Sequence, residues 1–275
     1  MKKILLAITL ILCAVCIMAQ TDSVDLKYKF TDKEAIKNNV KIVTNGTINF
    51  MGTPQNIKDT LIGKSVETTT AVTETGTAKK ALVFDLKEET PSADKTIANA
   101  LKPKATFFEM TPKGAIVAIT DEKGKVTTKV EKPADVFPKD PIKIGDKWTS
   151  TTVISSMSIP AESTFDSIQE VDGTKYALIK FTVNSPVDMP KMMALFGVSQ
   201  DMMGGFDSMV MNGLLKGTGT SYYDIKENKI AQTTYSMQLN IAGTMYDQPM
   251  LEATINIDYA QKLFSKEDEE KEKNS

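Results

Sequence analysis

Polar and apolar residues alternate one by one through most of this chain, and that two-residue period does most to limit how it can fold. It is clearest near the C-terminus. Leu251, Ala253, Ile255, Ile257 and Tyr259 fall on one side, against Glu252, Thr254, Asn256 and Asp258 on the other. Successive side chains of a strand point to opposite faces, so such a run is a strand with one buried face. The pattern recurs in Val40, Ile42, Ile48 and Phe50, in Ala177, Ile179, Phe181 and Val183, and in Tyr235, Met237, Leu239 and Ile241. Turn signals separate the runs at Gly52-Thr53-Pro54, Thr75-Gly76-Thr77, Pro112-Lys113-Gly114, Asp121 to Gly124, Asp172-Gly173 and Glu227-Asn228. The expected fold is mainly β: antiparallel meanders forming a curved sheet, half-barrel or sandwich. Val24 to Phe30 reads as an opening half-buried strand, and Ser92 to Leu101 as a short capped helix. Asn45-Gly46 reads as a bulge, because the same apolar face resumes on both sides of it.

One stretch breaks the period. Asp188 to Leu215 carries seven of the fifteen methionines and reads as a short Met-rich helical insert on the concave side of the sheet. Asp188 caps a first helix with Met189, Met193 and Phe196 on one face, stopped at Gly197. Ser199 opens a second, ending at Gly213, with Met203, Phe206 and Val210 aligned. Gly204-Gly205 softens that helix by roughly 1 kcal/mol per glycine. Three roles compete for the insert: a plug filling the sheet, a lid over an apolar ligand, or a thioether copper site drawn from Met189, Met192, Met193, Met202 and Met203. Burial of these side chains, without histidine or cysteine to help, argues against copper. The candidate ligand-binding residues are therefore Met192, Met193, Phe196, Met203 and Phe206, with no metal and no cofactor.

The first nineteen residues have a charged start at Lys2 and Lys3, an apolar run from Ile4 to Ile17, and Ala19 before the polar Gln20. That is the layout of a bacterial secretory signal peptide. The apolar run falls short of the ~20 residues that a membrane span needs. Export places the protein in the periplasm, at the cell surface or outside the cell, with no integral membrane segment after cleavage. Lipid anchoring is the weaker reading, since Leu12 and Val15, not small residues, precede Cys13 and Cys16. Both cysteines leave with the leader, so no disulfide is expected. Residues 20–264 read as a single β-rich domain, with the proline-containing Lys132 to Asp140 as the boundary between pseudo-repeat halves 24–135 and 136–264. A short echo supports the halves: Ile48 to Ile57 resembles Leu239 to Gln248. The charged tail 265–275 reads as disordered.

Composition narrows the chemistry. The chain has no histidine and no arginine, so it lacks both the usual neutral-pH proton carrier and the usual bidentate clamp for phosphate or carboxylate. Its formal net charge is −2 with the signs interspersed, which leaves no basic footprint for nucleic acid. There is no nucleophile elbow, no zinc-protease helix and no phosphate loop. Gly217-Thr218-Gly219-Thr220 runs into a strand and not into a helix N-terminus, so it is no phosphate site. Trp148, the single tryptophan, reads as a core aromatic in preference to a stacking platform. The expectation is a non-catalytic exported protein that binds an apolar or amphipathic ligand, a lipid or similar small molecule. The alternative is an envelope protein with a solid core, a protein partner and no ligand.

The mature chain resembles a family of exported bacterial β-rich proteins of unknown function. The likeness is carried by Leu26, Tyr28 and Phe30 of the opening L-x-Y-x-F, by Phe50, Met51 and Gly52 of a strand–Gly–strand hairpin, and by Pro141, Lys143, Gly145, Asp146 and Trp148 of a P-x-K-x-G-D-x-W element. Gly217, Gly219 and Asp224 fit the same pattern. The resemblance implies an exported domain and brings no assigned activity and no site residues.

Overall fold

The computed structural model describes residues 23–90, 105–154, 157–189, 209–246, 248–265 and 268. The expected leader, the expected helix at Ser92 to Leu101, most of the methionine stretch and nearly all of the tail lie outside these residues. The period-two runs become twelve antiparallel strands in one curved, unclosed sheet. In chain order they are β1 (Ala35–Phe50), β2 (Thr53–Val72), β3 (Ala78–Thr90), β4 (Thr106–Met110), β5 (Ile116–Thr120), β6 (Val126–Lys129), β7 (Lys147–Ile154), β8 (Met157–Val171), β9 (Thr174–Val187), β10 (Met209–Asp224), β11 (Lys229–Met245) and β12 (Gln248–Leu263). Among the described residues no two-sheet sandwich is formed. The apolar faces are instead gathered on the inner side of a single sheet.

Across the sheet the order is β6-β5-β4-β3-β2-β1-β12-β11-β10-β9-β8-β7. The first half of the chain spreads one way from β1, and the second half walks in from the far edge to β12. The two halves meet in the middle, where β1 and β12 pair from Asn38↔Leu263 to Phe50↔Leu251. The expected connector lies between β6 and β7, the two strands at the opposite edges. Two hairpins close with two residues each at positive φ, Met51 with Gly52 and Asp172 with Gly173, the backbone hand that suits the twist of paired strands. The first of these turns falls earlier than the Gly52-Thr53-Pro54 reading, because Thr53 and Pro54 already pair with Phe50 and Asn49.

Three expectations are corrected here. β1 runs unbroken through Asn45-Gly46, in register with both neighbours, so no bulge is present. Glycine is needed there for another reason. A Cβ on Gly46 would stand 2.1 Å from the Thr254 carbonyl oxygen, so the seam strands come too close for any side chain. Val24 to Phe30 is not a strand of the sheet: its one bridge among the described residues pairs Val24 with Ile142, itself outside the strands between β6 and β7, although its alternation is real, with Val24 and Leu26 buried. The second expected helix is replaced by strand from Met209 onwards. Leu215 points inward while Val210 is 61% exposed, the opposite of what a helix face shared with Met203 and Phe206 requires. Pairing of this stretch with β11 and, from Gly213, with β9 satisfies its backbone and outweighs local helical preference.

The inner face carries two apolar clusters. Ile57, Ile159, Val183, Leu215, Leu239 and Ile255 belong to the larger, together with Met189. Met189, directly after β9, is 1% exposed, and its sulfur fills the space left by the missing side chain of Gly213. The second cluster lies around Phe165, Ala177, Ile179 and Tyr223. It is completed by Val24 and Leu26 from the N-terminal segment, by Phe137 from the connector and by Ile142 just after it.

Candidate functional site

Met192, Met193, Phe196, Met203 and Phe206, the residues singled out above, lie outside the described residues, as do Met202 and the rest of the proposed copper set except Met189. Met189 is buried in an apolar cluster. Among the described residues no group of three or more His, Cys, Asp or Glu could hold a metal ion. No helix among them is long and apolar enough to cross a membrane, which says nothing of membrane β-barrels.

The described part of the inner face has its own feature, a row of aromatic side chains between the two clusters. Register places Ile42, Tyr259, Tyr235, Gly219 and Phe181 side by side across β1, β12, β11, β10 and β9. Tyr235 and Tyr259 stack with ring centres 4.7 Å apart and planes 9° from parallel. Gly219 is the gap in the row, and Phe181 lies across it: a Cβ there would meet the ring at 2.1 Å. Burial pushes the Tyr235 phenol up to about 12, and it raises Tyr259 as well. Both phenols stay neutral in the physiological range, so the row is an uncharged, weakly polar shelf. Ile42, Phe181, Tyr235, Met237, Ile257 and Tyr259 are all only half-buried.

The far end of the inner face is closed by the N-terminal segment. The Tyr223 hydroxyl accepts from the Lys27 amide at 3.0 Å and donates to the Lys27 carbonyl. The Lys113 ammonium reaches Asp25 at 2.7 Å and the Leu26 carbonyl at 2.8 Å. The Lys113 and Lys27 hydrogen bonds hold the Asp25 carboxyl below its usual range. Trp148 packs against this cluster and donates its indole N–H to the Val136 carbonyl at 2.8 Å, so it acts as a core aromatic and pins the connector. In β10, Gly217 and Gly219 sit in mid-strand and leave room for Met237 and Phe181.

The outer face holds a second feature that alternation alone did not signal. A trough of about 700 Å³ crosses β1, β12, β11, β10 and β9, running on into a neighbouring hollow of about 540 Å³. Its floor is made of Thr182, Thr218, Thr220, Thr234 and Ser236, with Lys41, Lys180 and Asp258 among its walls. In sequence these residues looked like an ordinary solvated strand face. Only the register, which sets Thr220 beside Thr234 and Thr218 beside Ser236, assembles them.

No family model matches the chain, and no curated protein matches it. Among solved structures, it is similar to DynF from the dynemicin biosynthesis pathway of Micromonospora chersina at 9% identity and TM-score 0.24, covering 89% of this chain and 86% of that one. A mutant Rh. blastica porin aligns at 9% identity and TM-score 0.22 over 84% of this chain and all of the porin. A DUF1329 family protein from Desulfovibrio piger aligns at 8% identity and TM-score 0.17, over 82% of this chain and 85% of that one. Likenesses this low carry no argument about function.

Proposed function

We propose that this is an exported, non-catalytic binding protein that holds an apolar or amphipathic molecule, a lipid or similar hydrophobic small molecule, against the inner face of its sheet. The observation that supports this is the half-buried row of Ile42, Tyr259, Tyr235 and Phe181. It lies between the two apolar clusters, with Phe181 itself packed against the larger, in a sheet whose edges β6 and β7 do not pair. An apolar surface with a few weakly polar groups is the composition of a lipid-type site. The secretory leader expected from the sequence and the family resemblance suit a periplasmic or surface role, and neither brings a reaction with it. Met192, Met193, Phe196, Met203 and Phe206 remain proposed contributors to the same site.

Native mass spectrometry of protein taken from its own envelope fraction tests the reading, followed by titration with a fluorescent fatty acid. A co-purifying apolar adduct and saturable uptake are expected. Exchanging Phe181 for aspartate should weaken uptake about tenfold or more, since burial of one large apolar side chain is worth about 1.5–3 kcal/mol. Adduct-free protein that takes up no fatty acid favours the alternative, an envelope protein with a solid core. The packing of Met189, Ile57 and Leu239 to a few per cent exposure already leans that way at one end of the sheet.

A further inference from the structure

We propose that the outer trough is a second binding site, for a linear polysaccharide lying across the strands. It is independent of the inner-face reading.

The outward side of a curved sheet is ordinarily convex and solvated, so a hollow there needs a cause. Here the floor is built of short side chains and the ends of long ones. Thr220 and Thr234 sit side by side in one row, with Thr182, Thr218 and Ser236 in the next. Lys41 on β1 and Lys180 on β9 rise at the two ends of the first row. Five strands at ~4.8 Å spacing make the trough about 19 Å long, the span of an extended oligomer and not of a single small molecule.

The hydrogen-bonding state of the side chains separates this floor from the amide row beside it. One step along the strands the amides are spent on each other: Gln238 donates to Asn256 at 3.0 Å, Asn256 to Asn45 at 3.2 Å, and Asn240 to Gln238 at 3.1 Å. The five floor hydroxyls have no such partners among the described residues. A hydroxyl both donates and accepts, so a lattice of free hydroxyls at strand spacing matches a chain that itself presents hydroxyls of either sense. The charges are sparse. Lys180 is held by Asp166 at 2.7 Å, while Lys41, Lys216 and Asp258 make no ion pair among the described residues. That balance suits a neutral or lightly acidic sugar chain and gives a polyanion such as nucleic acid little to hold.

The test uses the full mature protein and a panel of linear oligosaccharides, neutral and uronic-acid-containing, of six or more sugars. Amide resonances of β9 to β12 are followed by NMR during titration. At least one class should shift the amides of Thr182, Thr218, Thr234 and Ser236 with a dissociation constant in the micromolar to millimolar range. The triple variant T218V/T220V/T234V keeps the side-chain shape, and valine is at home in strands, so it should fold as the parent does. It should lose at least tenfold in affinity. The unchanged fatty-acid uptake of that variant separates this site from the inner face. The proposal is overturned if no oligosaccharide moves these resonances, or if the triple variant binds sugar as tightly as the parent. A protein seen to dock on the trough in place of sugar would also overturn it.

Discussion

Lys80 departs from the usual rule that a lysine keeps its ammonium in water. It sits on β3 only 4% exposed, paired with Glu67 on β2, its ammonium 4.7 Å from the ring centre of Phe30 and 6.0 Å from that of Tyr28. Two aromatic faces and one carboxylate replace the water the ammonium gives up. Removing the carboxylate alone leaves a buried charge unmatched. Glu67→Gln should therefore cost about 3–5 kcal/mol, nearer the lower figure because Glu67 is partly exposed. Urea unfolding measures it, and a paired exchange of Lys80 and Glu67 for leucines should recover most of the loss. In sequence Lys80 follows Lys79 and looks like any solvated lysine. Its inward direction becomes clear only when β3 is registered against β2, with Thr69 opposite Lys80. The buried tyrosines make stability depend on alkaline pH. Tyr28, Tyr223, Tyr235 and Tyr259 all have folded-state values above 10, Tyr223 and Tyr235 at about 12, with burial as the largest cause. A group that keeps its proton longer when folded lends stability below its unfolded value and withdraws it as pH rises. Stability should be flat through neutrality and fall between about pH 10 and 12, as seen by tyrosinate absorbance alongside circular dichroism. Tyr235→Phe should make the fall shallower.

Among the elements, the strands were legible and their exceptions were not. Alternation located β1, β9, β11 and β12 because each has one buried face, and those four strands run through the main cluster. It failed at Met209 to Gly213, where methionines and glycines invite a helical reading and only the partners β9 and β11 decide for strand. The ligand-binding residues expected from the concentration of methionine lie outside the described residues. The aromatic row of the inner face was not legible, because it is spread over β9, β11 and β12, more than fifty residues apart in sequence between Phe181 and Tyr235. Gly46 is where the pairing of β1 with β12 is most exposed to a single substitution. A side chain there must enter the β1–β12 seam, where the Thr254 carbonyl occupies its place. Gly46→Val should cost about 3 kcal/mol, in the upper part of the usual range for overpacking. Gly52→Asn, in a turn at positive φ with open space around it, should cost far less. Chemical denaturation of both variants checks the contrast, and equal losses would mean that the seam relaxes.

For the whole molecule, the order of the strands means that the chain's two halves touch along one seam and then diverge. The first half ends at the β6 edge and the second begins at the β7 edge. Something must hold the diverging halves in a common curve, and the N-terminal segment is placed to do it. Its Tyr28 amide donates to the Pro112 carbonyl of the β4–β5 turn at 2.7 Å, and its Lys29 amide to the Asn228 carbonyl of the β10–β11 turn at 3.1 Å. Leu26 is 1% exposed between them, and Asp25 adds the ionic contact to Lys113. The strap thus ties the first half to the second at a distance from the seam. Deleting residues 23–30 should leave β1 and β12 paired while loosening the second cluster. Hydrogen exchange would report it as lost protection at Phe165, Ile179 and the β4–β5 turn, with the amides of Ile42 and Ile257 still protected. Uniform loss of protection would show instead that the sheet forms only as one cooperative unit. Acid should loosen the strap more gently. The Asp25 carboxyl is held low by Lys113 and Lys27, so its contribution is present above the usual aspartate range near ~3.9 and is lost as pH falls below it. Asp25→Asn should remove that acid step while leaving the buried contacts of Leu26 in place. The strap would then stay docked at neutral pH through its apolar side chains, and the acid-induced change in exchange at the β4–β5 turn should disappear.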